Sequence, residues 1–253
     1  MQFKFLHCNI WNGGMLISNL IAFLQKEKPD VLAMQEVYNG HDATMERRFR
    51  SIEVLQEVTG LRHFAFAPAF SEDLASFSVQ NGNAVLSRFP IMKHEHWFYD
   101  RPYDPHFVDN KVSYFKTPYN LQHVVLDLPG RNLHVYNTHG IWGEHGRDTE
   151  PRLQMAQFIL EKMSGITPAV LCGDFNVNEG TQTIANLSAA LVNVFAPDRR
   201  QNSFNLDHKA PGTGYGTAVV DFIFTTPDVT TLTRRQPEDD VTDHRPLVCE
   251  FTI

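Results

Sequence analysis

The sequence lacks several features that mark whole classes of protein. It has 253 residues and only three cysteines, with no Cys-x-x-Cys pair, so we interpret them as small buried apolar residues rather than as a disulfide framework. No apolar run approaches the roughly 18 residues of a membrane-spanning helix. Lys4 and His7 stand where a signal peptide would have its apolar core. We therefore expect a soluble, cytoplasmic protein.

Positive charge is also scarce. Lys and Arg total 22 against 29 Asp and Glu, which gives a formal net charge of −7. Proteins that hold long nucleic acids nonspecifically usually present a basic face. Here basic residues pair only sparsely, at Arg47-Arg48, Arg199-Arg200 and Arg234-Arg235. We expect contact with one or a few phosphates rather than tracking along a duplex.

Several familiar signatures are missing too. The chain has no Gly-x-Ser-x-Gly elbow, no phosphate-binding Gly-x-x-x-x-Gly-Lys loop, no internal repeat and no low-complexity linker. Its hydrophobic fraction of 42% excludes wholesale disorder. Single domains of mixed sheets and helices reach about 250 residues. The sequence therefore predicts one domain over residues 1–253.

The apolar pattern predicts an alternation of strands and helices. Helical spacing is present over 15–28, 43–59, 152–163 and 181–191. Short apolar or alternating runs predict strands at 3–10, 31–35, 62–67, 83–87, 92–98, 121–128, 133–138, 169–173, 219–225 and 247–253. We interpret this order as mixed sheets with peripheral helices.

Four acidic residues lie at the ends of these strands. Glu36, Asp174, Asp221 and Asp243 each stand at, or just past, one end of an apolar run. Any one of them is as often a simple turn residue. Four from separate segments favour a site, since α/β sheets place their sites at strand ends.

The triplet from Asp174 to Asn176 is the sharpest of these signals. In an extended segment, residues two apart face the same side. The carboxylate can then accept a proton from water while the amide donates to the same water or to an anionic oxygen. The alternative is an Asx turn that closes a strand, which explains only one of the two polar residues. Gly173 allows a close backbone approach.

Two histidines and an asparagine extend the candidate site. A carboxylate such as Asp221 would favour the imidazolium form of His244, a donor to a developing phosphate oxyanion. His139 follows a strand and opens a loop, where it can act as a second donor. Asn9 ends the first strand and offers an oxygen ligand or an N–H donor. The alternatives are a surface histidine, a buried structural histidine and a polar strand end.

This residue set is rich in oxygen donors and contains no cysteine–histidine cluster of the zinc type. Carboxylate and amide oxygens suit a hard cation such as Mg²⁺, which is often held by one or two protein carboxylates. The chemistry consistent with the set is metal-assisted hydrolysis of a phosphate ester.

Seven segments resemble the endonuclease/exonuclease/phosphatase superfamily, which has the DNase I-like fold. In chain order they are Cys8-Asn-Ile-Trp-Asn12, Asp30-Val-Leu-Ala-Met-Gln-Glu36, Gly82-Asn-Ala-Val-Leu-Ser-Arg-Phe-Pro90, Asn137-Thr-His139, Gly173-Asp-Phe-Asn176, Val220-Asp-Phe-Ile-Phe224 and Thr242-Asp-His244. The resemblance implies a four-layered α/β/β/α sandwich, in which two packed mixed β-sheets are flanked by helices.

The resemblance also implies roles for the site residues. Glu36 would be the principal ligand of Mg²⁺, for which Mn²⁺ can substitute, with Asn9 and Asp243 near the metal. The proposed catalytic group would activate water, position it and stabilise the transition state. Asp174 would activate the water and Asn176 would position it. His139 and His244 would stabilise the transition state, and Asp221 would orient His244. The histidine at 139 favours the phosphatase, sphingomyelinase, tyrosyl-DNA phosphodiesterase and DNase I branches over apurinic-site endonucleases.

An aromatic-rich stretch from His94 to His123 distinguishes this chain. Loops of this length are uncommon without a role, and aromatic rings there can stack on a base, cover a sugar or meet a lipid. The alternative is an irregular, packed surface segment. The substrate contacts we expect are Asn12, Trp97, Tyr103 and Trp142.

The sequence thus predicts a Mg²⁺-dependent phosphodiesterase that acts on nucleotide-like or short nucleic-acid phosphoesters. The enzymatic alternative is a phosphatase or a sphingomyelinase-like lipid phosphodiesterase. A catalytically silent binding module on the same fold is less favoured, because no acid or histidine of the set is missing. No obligate protein partner is evident.

Overall fold

A computed structural model describes residues 1–74, 77–108, 114–198, 200–209 and 214–253. The strands are β1 Gln2–Asn9, β2 Val31–Tyr38, β3 His63–Asp73, β4 Ser78–Ser87, β5 Ile91–Phe98, β6 Asp104–Phe107, β7 Asn120–Leu128, β8 Arg131–His139, β9 Ala169–Asp174, β10 Val192–Asn193, β11 Asp221–Thr225, β12 Thr230–Arg235 and β13 Leu247–Thr252. The α-helices are α1 Ile17–Glu27, α2 Ser51–Thr59, α3 Glu150–Met163 and α4 Gln182–Ala190.

The strands form two mixed sheets that pack face to face. The first has seven strands in the order β12-β13-β1-β2-β4-β3-β6, and the second has six in the order β10-β11-β9-β8-β7-β5. Parallel pairs join β1 to β2, β3 to β6, and β8 to β9, whereas the other neighbours are antiparallel. The predicted sandwich of two mixed sheets with flanking helices is confirmed.

Alternation along the strands divides the apolar side chains into three layers. On β1, Phe3 and Phe5 enter the core between the sheets, whereas Leu6 and Cys8 belong to the core beneath α1 and α2. A third core lies between the second sheet and helices α3 and α4. This period of two is what a strand with both faces covered requires.

The helix predicted over 43–59 is shorter than expected. Only α2 is α-helical, and it follows a 3₁₀ turn at Arg47–Phe49. In the stretch 43–50 only Phe49 is buried, and it packs on Tyr38 at 5.5 Å between ring centroids. Without an apolar stripe, those residues have no face to bury as a helix. The other three predicted helices are confirmed with small shifts of their ends.

The stretch 94–123 is less irregular than the sequence suggests. Strand β5 continues to Phe98, β6 lies within it, and β7 begins at Asn120. Strands β6, β10 and β12 were not predicted, because β10 has only two residues and the other two show no apolar alternation. Residues 109–113 lie outside the described ones. Among the described residues, no helix has the length and apolar character needed to cross a membrane.

Buried amides join the two sheets near one end of the sandwich. Asn137 on β8 donates to the carbonyls of Met34 and Ala84 on the first sheet, at 3.0 and 3.2 Å. From β7, Gln122 donates to the Ala65 carbonyl of β3 at 3.0 Å. Because these groups are buried, each bond avoids the free-energy penalty of an unpaired polar atom. The network fixes one sheet against the other.

Two glycines allow the strands and loops beside this end to approach closely. A Cβ on Gly173 would lie 2.1 Å from the Thr138 carbonyl oxygen, and one on Gly140 would lie 2.3 Å from that of Phe175. Any side chain would therefore push β9 away from β8. The close approach expected at Gly173 is confirmed.

Candidate functional site

The predicted polar residues meet at one end of the sandwich, and both sheets contribute. Asn9 and Glu36 come from β1 and β2 of the first sheet, and Asp243 and His244 from the segment before β13. The second sheet supplies residues at the ends of β8 and β9 and at the start of β11, namely His139, Asp174 and Asp221.

Glu36 is oriented by an unusual backbone. It lies in a β-bulge of β2 against β4 and has a φ of 57°, a left-handed conformation that few non-glycine residues adopt. Asn9 Nδ2 donates to Oε1 and the Asn12 backbone N–H to Oε2, both at 2.9 Å. Burial raises the pKa of Glu36, but the charge of His139 and these two hydrogen bonds hold it below its usual value. The carboxylate is therefore ionised and only partly exposed.

Asn9 connects the two acids at the centre of the site. Its Nδ2 also donates to Asp174 Oδ2 at 3.2 Å, and its Oδ1 accepts from the Trp11 N–H at 3.0 Å. Because one amide bridges both carboxylates, Glu36 and Asp174 keep a fixed separation across the sheet boundary.

Asp174 is buried beneath two histidines. The Nε2 atoms of His139 and His244 each lie 3.7 Å from its Oδ2. Its Oδ1 accepts the Asn176 backbone N–H at 2.9 Å, and the Asn176 side chain donates instead to the Gly140 carbonyl at 3.0 Å. Asn176 thus orients Asp174 through its backbone, in a left-handed turn with a φ of 56°.

Asp221 and His244 form a tight pair next to Asp174. His244 Nδ1 lies 2.9 Å from Asp221 Oδ2, and the side chains are 6% and 1% exposed. A second histidine, His7, places its Nε2 at 3.0 Å from Asp221 Oδ1. The Asp221 backbone N–H donates to Ser203 Oγ at 2.9 Å.

These charges shift one another's ionisation. Burial lowers the pKa of His244, but Asp221 and Asp174 outweigh this effect and raise it to about 10. Burial raises the pKa of Asp221, but the charge of His244 and hydrogen bonds from both histidines bring it well below its usual value. For Asp174, burial prevails and the pKa is raised, with His244 counteracting and Asp221 adding to the shift. At neutral pH the pair is therefore imidazolium and carboxylate, and the neighbouring Asp174 is more basic than usual.

Asp243 differs from the other acids, because a lysine already neutralises it. Lys209 Nζ lies 2.7 Å from Asp243 Oδ2, and Thr242 Oγ1 donates to Oδ1 at 3.2 Å. The same threonine hydroxyl lies 2.9 Å from the Asn9 carbonyl. Asp243 is thus close to Asn9 in the fold, and a cation at this carboxylate would share it with an ammonium group.

The four expected substrate contacts divide into two groups. Trp142 and Asn12 lie in loops at the site, and the Trp142 ring packs against Tyr114 and Phe115 at centroid distances of 5.4 and 4.9 Å. Trp97 and Tyr103 have other neighbours: Lys162 Nζ is 4.6 Å from the Trp97 ring centroid, and Tyr103 OH is 2.7 Å from Ser71 Oγ. Trp142, in the loop after His139, thus belongs to an aromatic group with Tyr114 and Phe115, and Tyr119 packs directly on the His139 ring at 5.0 Å between centroids.

Sequence reasoning missed three residues that shape the site, His7, Lys209 and Arg152. Arg152 is fully buried at the start of α3 and donates to the carbonyls of Ile141, Gly143 and Asn176 at 2.7–2.9 Å. It holds the loop after β8 against the loop after β9. For His7, the two-residue spacing to Asn9 on one strand face was an available signal. Nothing in the sequence pattern marks Lys209.

Two groups of side chains are close enough to hold a metal ion. One is Asp174, Asp221 and His244, whose ligand atoms all lie within 4.8 Å of one another. His244 is protonated, and each carboxylate oxygen of Asp221 already has a histidine partner. These two side chains therefore have few free lone pairs with which to coordinate an ion. The other is the ionised Glu36 carboxylate, an oxygen donor that suits a hard divalent cation. Asn9 turns its Nδ2 toward Glu36, so its Oδ1, which also accepts the Trp11 N–H, is the Asn9 atom available to an ion.

Comparison with solved structures places this architecture among the DNase I-like α/β sandwiches. A protein of the endonuclease/exonuclease/phosphatase type from Beutenbergia cavernae is 18% identical, with a TM-score of 0.76, and the match covers 100% of this chain and 72% of that one. The Bacteroides thetaiotaomicron mannosyl-6-phosphatase Bt3783 is 16% identical, with a TM-score of 0.69 and coverages of 99% and 100%. A D. rerio TDP2 humanised by 14 mutations is 15% identical, with a TM-score of 0.67 and coverages of 100% and 99%.

The family model for the endonuclease/exonuclease/phosphatase family matches residues 6–244. The chain therefore belongs to this family, whose members hydrolyse phosphoester bonds. Among curated proteins, none matches the sequence significantly.

Proposed function

We propose that this chain is a Mg²⁺-dependent phosphodiesterase that attacks nucleotide-like or short nucleic-acid esters with water. The observation that carries the proposal is the bridge from Glu36 through Asn9 to Asp174. It joins an ionised oxygen ligand to a more basic buried carboxylate, which supports their action on one phosphate. The two histidines over Asp174 supply donors at that point.

The ionised Glu36 carboxylate fits a bound Mg²⁺. Glu36 would hold the ion, together with Asn9 Oδ1, which also accepts the Trp11 N–H, and with Asp243 able to contribute if Lys209 releases it. When bound, the ion supplies Lewis-acid neutralisation of a phosphoryl oxygen.

The other steps belong to the chain's own residues. Asp174, whose pKa is raised by burial, accepts a proton from the attacking water. Its orientation is fixed by the Asn176 N–H. His244 donates its Nε2–H to the phosphoryl oxygen as charge develops there, and His139 donates from the other side of Asp174.

The charge balance favours a diester over a monoester. The acidic groups are Glu36, Asp174, Asp221 and Asp243, and the basic groups facing them are His7, His139, His244 and Lys209, with the Arg200 guanidinium near enough to Asp221 to feel its charge. The buried Arg152 guanidinium is directed to backbone carbonyls instead. A monoester carries about two negative charges near pH 7 and a diester carries one, so a site whose cations are already paired with its own acids suits the diester better.

The test compares esters with one leaving group. Methyl p-nitrophenyl phosphate and thymidine 5′-(p-nitrophenyl) phosphate are diesters, and p-nitrophenyl phosphate is the monoester. With Mg²⁺ we expect kcat/KM for the thymidine diester to exceed that for the monoester at least about tenfold, which equals about 1.4 kcal/mol of transition-state stabilisation. Equal or faster monoester hydrolysis would make the chain a phosphatase, and hydrolysis of sphingomyelin alone would make it a lipid phosphodiesterase.

The dependence of hydrolysis on a metal ion is tested in the same assay. Excess EDTA should abolish hydrolysis, and Mg²⁺ or Mn²⁺ should restore it. Glu36→Gln should stay folded and lose at least about 10²-fold in kcat/KM, because several kcal/mol of charge stabilisation depend on the ion. Glu53→Gln, at a 59% exposed position on α2, is the matched control. Full turnover in excess EDTA would contradict the metal mechanism.

A further inference from the structure

Asp221 is bound by histidines on both of its oxygens. Oδ2 pairs with His244, and Oδ1 lies 3.0 Å from Nε2 of His7, with the His7 and Asp221 side chains each 1% exposed. The seven residue segments that resemble the family include Asp221 and His244 but not His7. A second imidazole on this carboxylate is therefore an unassigned part of the site.

His7 belongs to a rigid part of the fold. It lies on β1, opposite Leu247 of β13 and Ala33 of β2, and its side chain crosses to the second sheet to reach β11. A carboxylate with one partner can turn about its terminal torsion, which has a broad energy minimum. A partner on each oxygen removes that freedom, so His7 holds the plane of Asp221 and, through it, the ring of His244.

The surroundings of His7 argue against a role in packing alone. Phe3 and Phe5 fill the same face of β1 with apolar rings, and another apolar side chain would continue that core. His7 instead buries an Nδ1 atom that has no hydrogen-bond partner, which carries a free-energy penalty. The nitrogen that does have a partner is Nε2, and because an ionised carboxylate only accepts, Nε2 carries the proton of that hydrogen bond.

We propose that His7 is a positioning residue that donates its Nε2–H to Asp221 Oδ1. It thereby fixes the His244 ring so that His244 can donate its own Nε2–H to the phosphoryl oxygen. The proposal rests on the phosphodiesterase function proposed above. Because His7 is buried beneath the acid and does not face the substrate, its loss should lower kcat and leave KM nearly unchanged.

Two variants separate hydrogen bonding from packing. His7→Gln keeps an N–H donor at a similar distance from the backbone, and His7→Leu fills the space without one. With thymidine 5′-(p-nitrophenyl) phosphate and Mg²⁺, we expect His7→Leu to lower kcat by about 10–100-fold, as small misplacements of catalytic groups do. KM should stay within about twofold, and His7→Gln should recover most of kcat. Equal losses in both variants, or none in His7→Leu, would overturn the proposal.

A measurement without turnover keeps the result separate from the proposed function. In protein labelled with ¹⁵N-histidine, His244 Nδ1–H should give a downfield proton resonance, identified by its loss in His244→Gln. We expect it in the wild type and in His7→Gln, and expect it shifted or broadened in His7→Leu. The wild-type spectrum should also show His7 protonated at Nε2, and protonation at Nδ1 alone would overturn the proposal. If no probe ester is hydrolysed, the proposed function fails while these spectra still decide the pairing.

Discussion

Lys209 Nζ lies 2.7 Å from Asp243 Oδ2, so an acid that the family resemblance places near the metal already has a cationic partner. Asp243 is buried and Lys209 only partly so. An ammonium group and a divalent ion at this carboxylate must compete for it or share it, and this competition can be measured.

Removal of the lysine should strengthen metal binding. With Lys209→Met we expect the Kd for Mn²⁺, measured by electron paramagnetic resonance, to fall about 5–10-fold, because a competing ion pair worth about 1 kcal/mol is lost. Lys26→Met removes a lysine that is 67% exposed and pairs with Asp239, and it should leave the Kd unchanged. An unchanged Kd in Lys209→Met would mean that Asp243 is not a ligand.

Asp174→Asn should separate activity from stability. The amide loses the proton-accepting oxygen, so kcat should fall by about 10²–10⁴-fold. Its carbonyl oxygen can still accept from Asn9 or Asn176, and the desolvation penalty on the buried negative charge, which raises the pKa of Asp174, is gone. The melting temperature should therefore stay the same or rise. Asp127→Asn, at an exposed position, is the control and should keep the wild-type kcat. A near-normal kcat in Asp174→Asn would mean that Asp174 is only a turn residue.

The two tryptophans that the sequence predicts as substrate contacts should behave differently. Trp142→Ala should raise KM for thymidine 5′-(p-nitrophenyl) phosphate by about tenfold, since base stacking is worth about 1–3 kcal/mol, and should leave methyl p-nitrophenyl phosphate almost unaffected. Trp97→Ala should change neither KM, because its ring packs on Lys162 and on His123. If Trp97→Ala alone raises KM for the thymidine ester, the substrate lies along β5 instead.

Stability should fall in mild acid because of a buried histidine on β7. Burial, followed by the charge of His134, lowers the pKa of His123 to about 4. In the unfolded chain His123 binds a proton near pH 6.5, whereas in the folded chain it does so only near pH 4. The stability contributed by neutral His123 is therefore full above pH 6.5 and is lost as the pH falls toward 4. After a discount for solvent screening, we expect about 1–2 kcal/mol less stability at pH 5 than at pH 7.5.

The variant His123→Phe keeps a ring against Tyr136, whose centroid is 4.3 Å away, but cannot titrate. Its free energy of unfolding, from urea titrations at the two pH values, should change less than that of the wild type. His106→Phe, at a side chain that is 80% exposed, should leave the wild-type difference intact. Equal pH dependence in wild type and His123→Phe would contradict the assignment.

Salt should affect catalysis only slightly. A protein that contacts many duplex phosphates loses affinity with a slope of about 0.9 per phosphate in a logarithmic plot. With a net charge of −7, we expect kcat/KM for a short substrate at fixed Mg²⁺ to change with a slope of about 1–2. A steep slope with efficient cleavage of long duplex DNA would indicate an endonuclease.

Much of the site could be predicted because its residues end strands. Asp174 and Glu36 stand where an apolar run meets a polar residue, and that boundary is visible in the sequence. Strand β12 could not be predicted, because it is a mostly exposed edge strand and has no apolar alternation. Register and loop placement depend on contacts distant in sequence, so the neighbours of Trp97 could not be inferred.

The residues that were missed share a physical cause. His7 contacts Asp221 across 214 positions of chain, and Lys209 reaches Asp243 from an irregular loop. Neither spacing is periodic, so no local pattern can reveal it. Arg152 opens a predicted helix, but only the fold shows that its guanidinium joins two loops.

Because the site is divided between two sheets, it is complete only when both sheets are folded and packed together. The bonds of Asn9 to Asp174, of His7 to Asp221 and of His244 to Asp221 each join one sheet to the other. A folding intermediate with only one sheet in place would hold half of each pair and no working centre. Recovered turnover during refolding would then time the docking of the sheets, which spectroscopic probes of strand content alone do not distinguish.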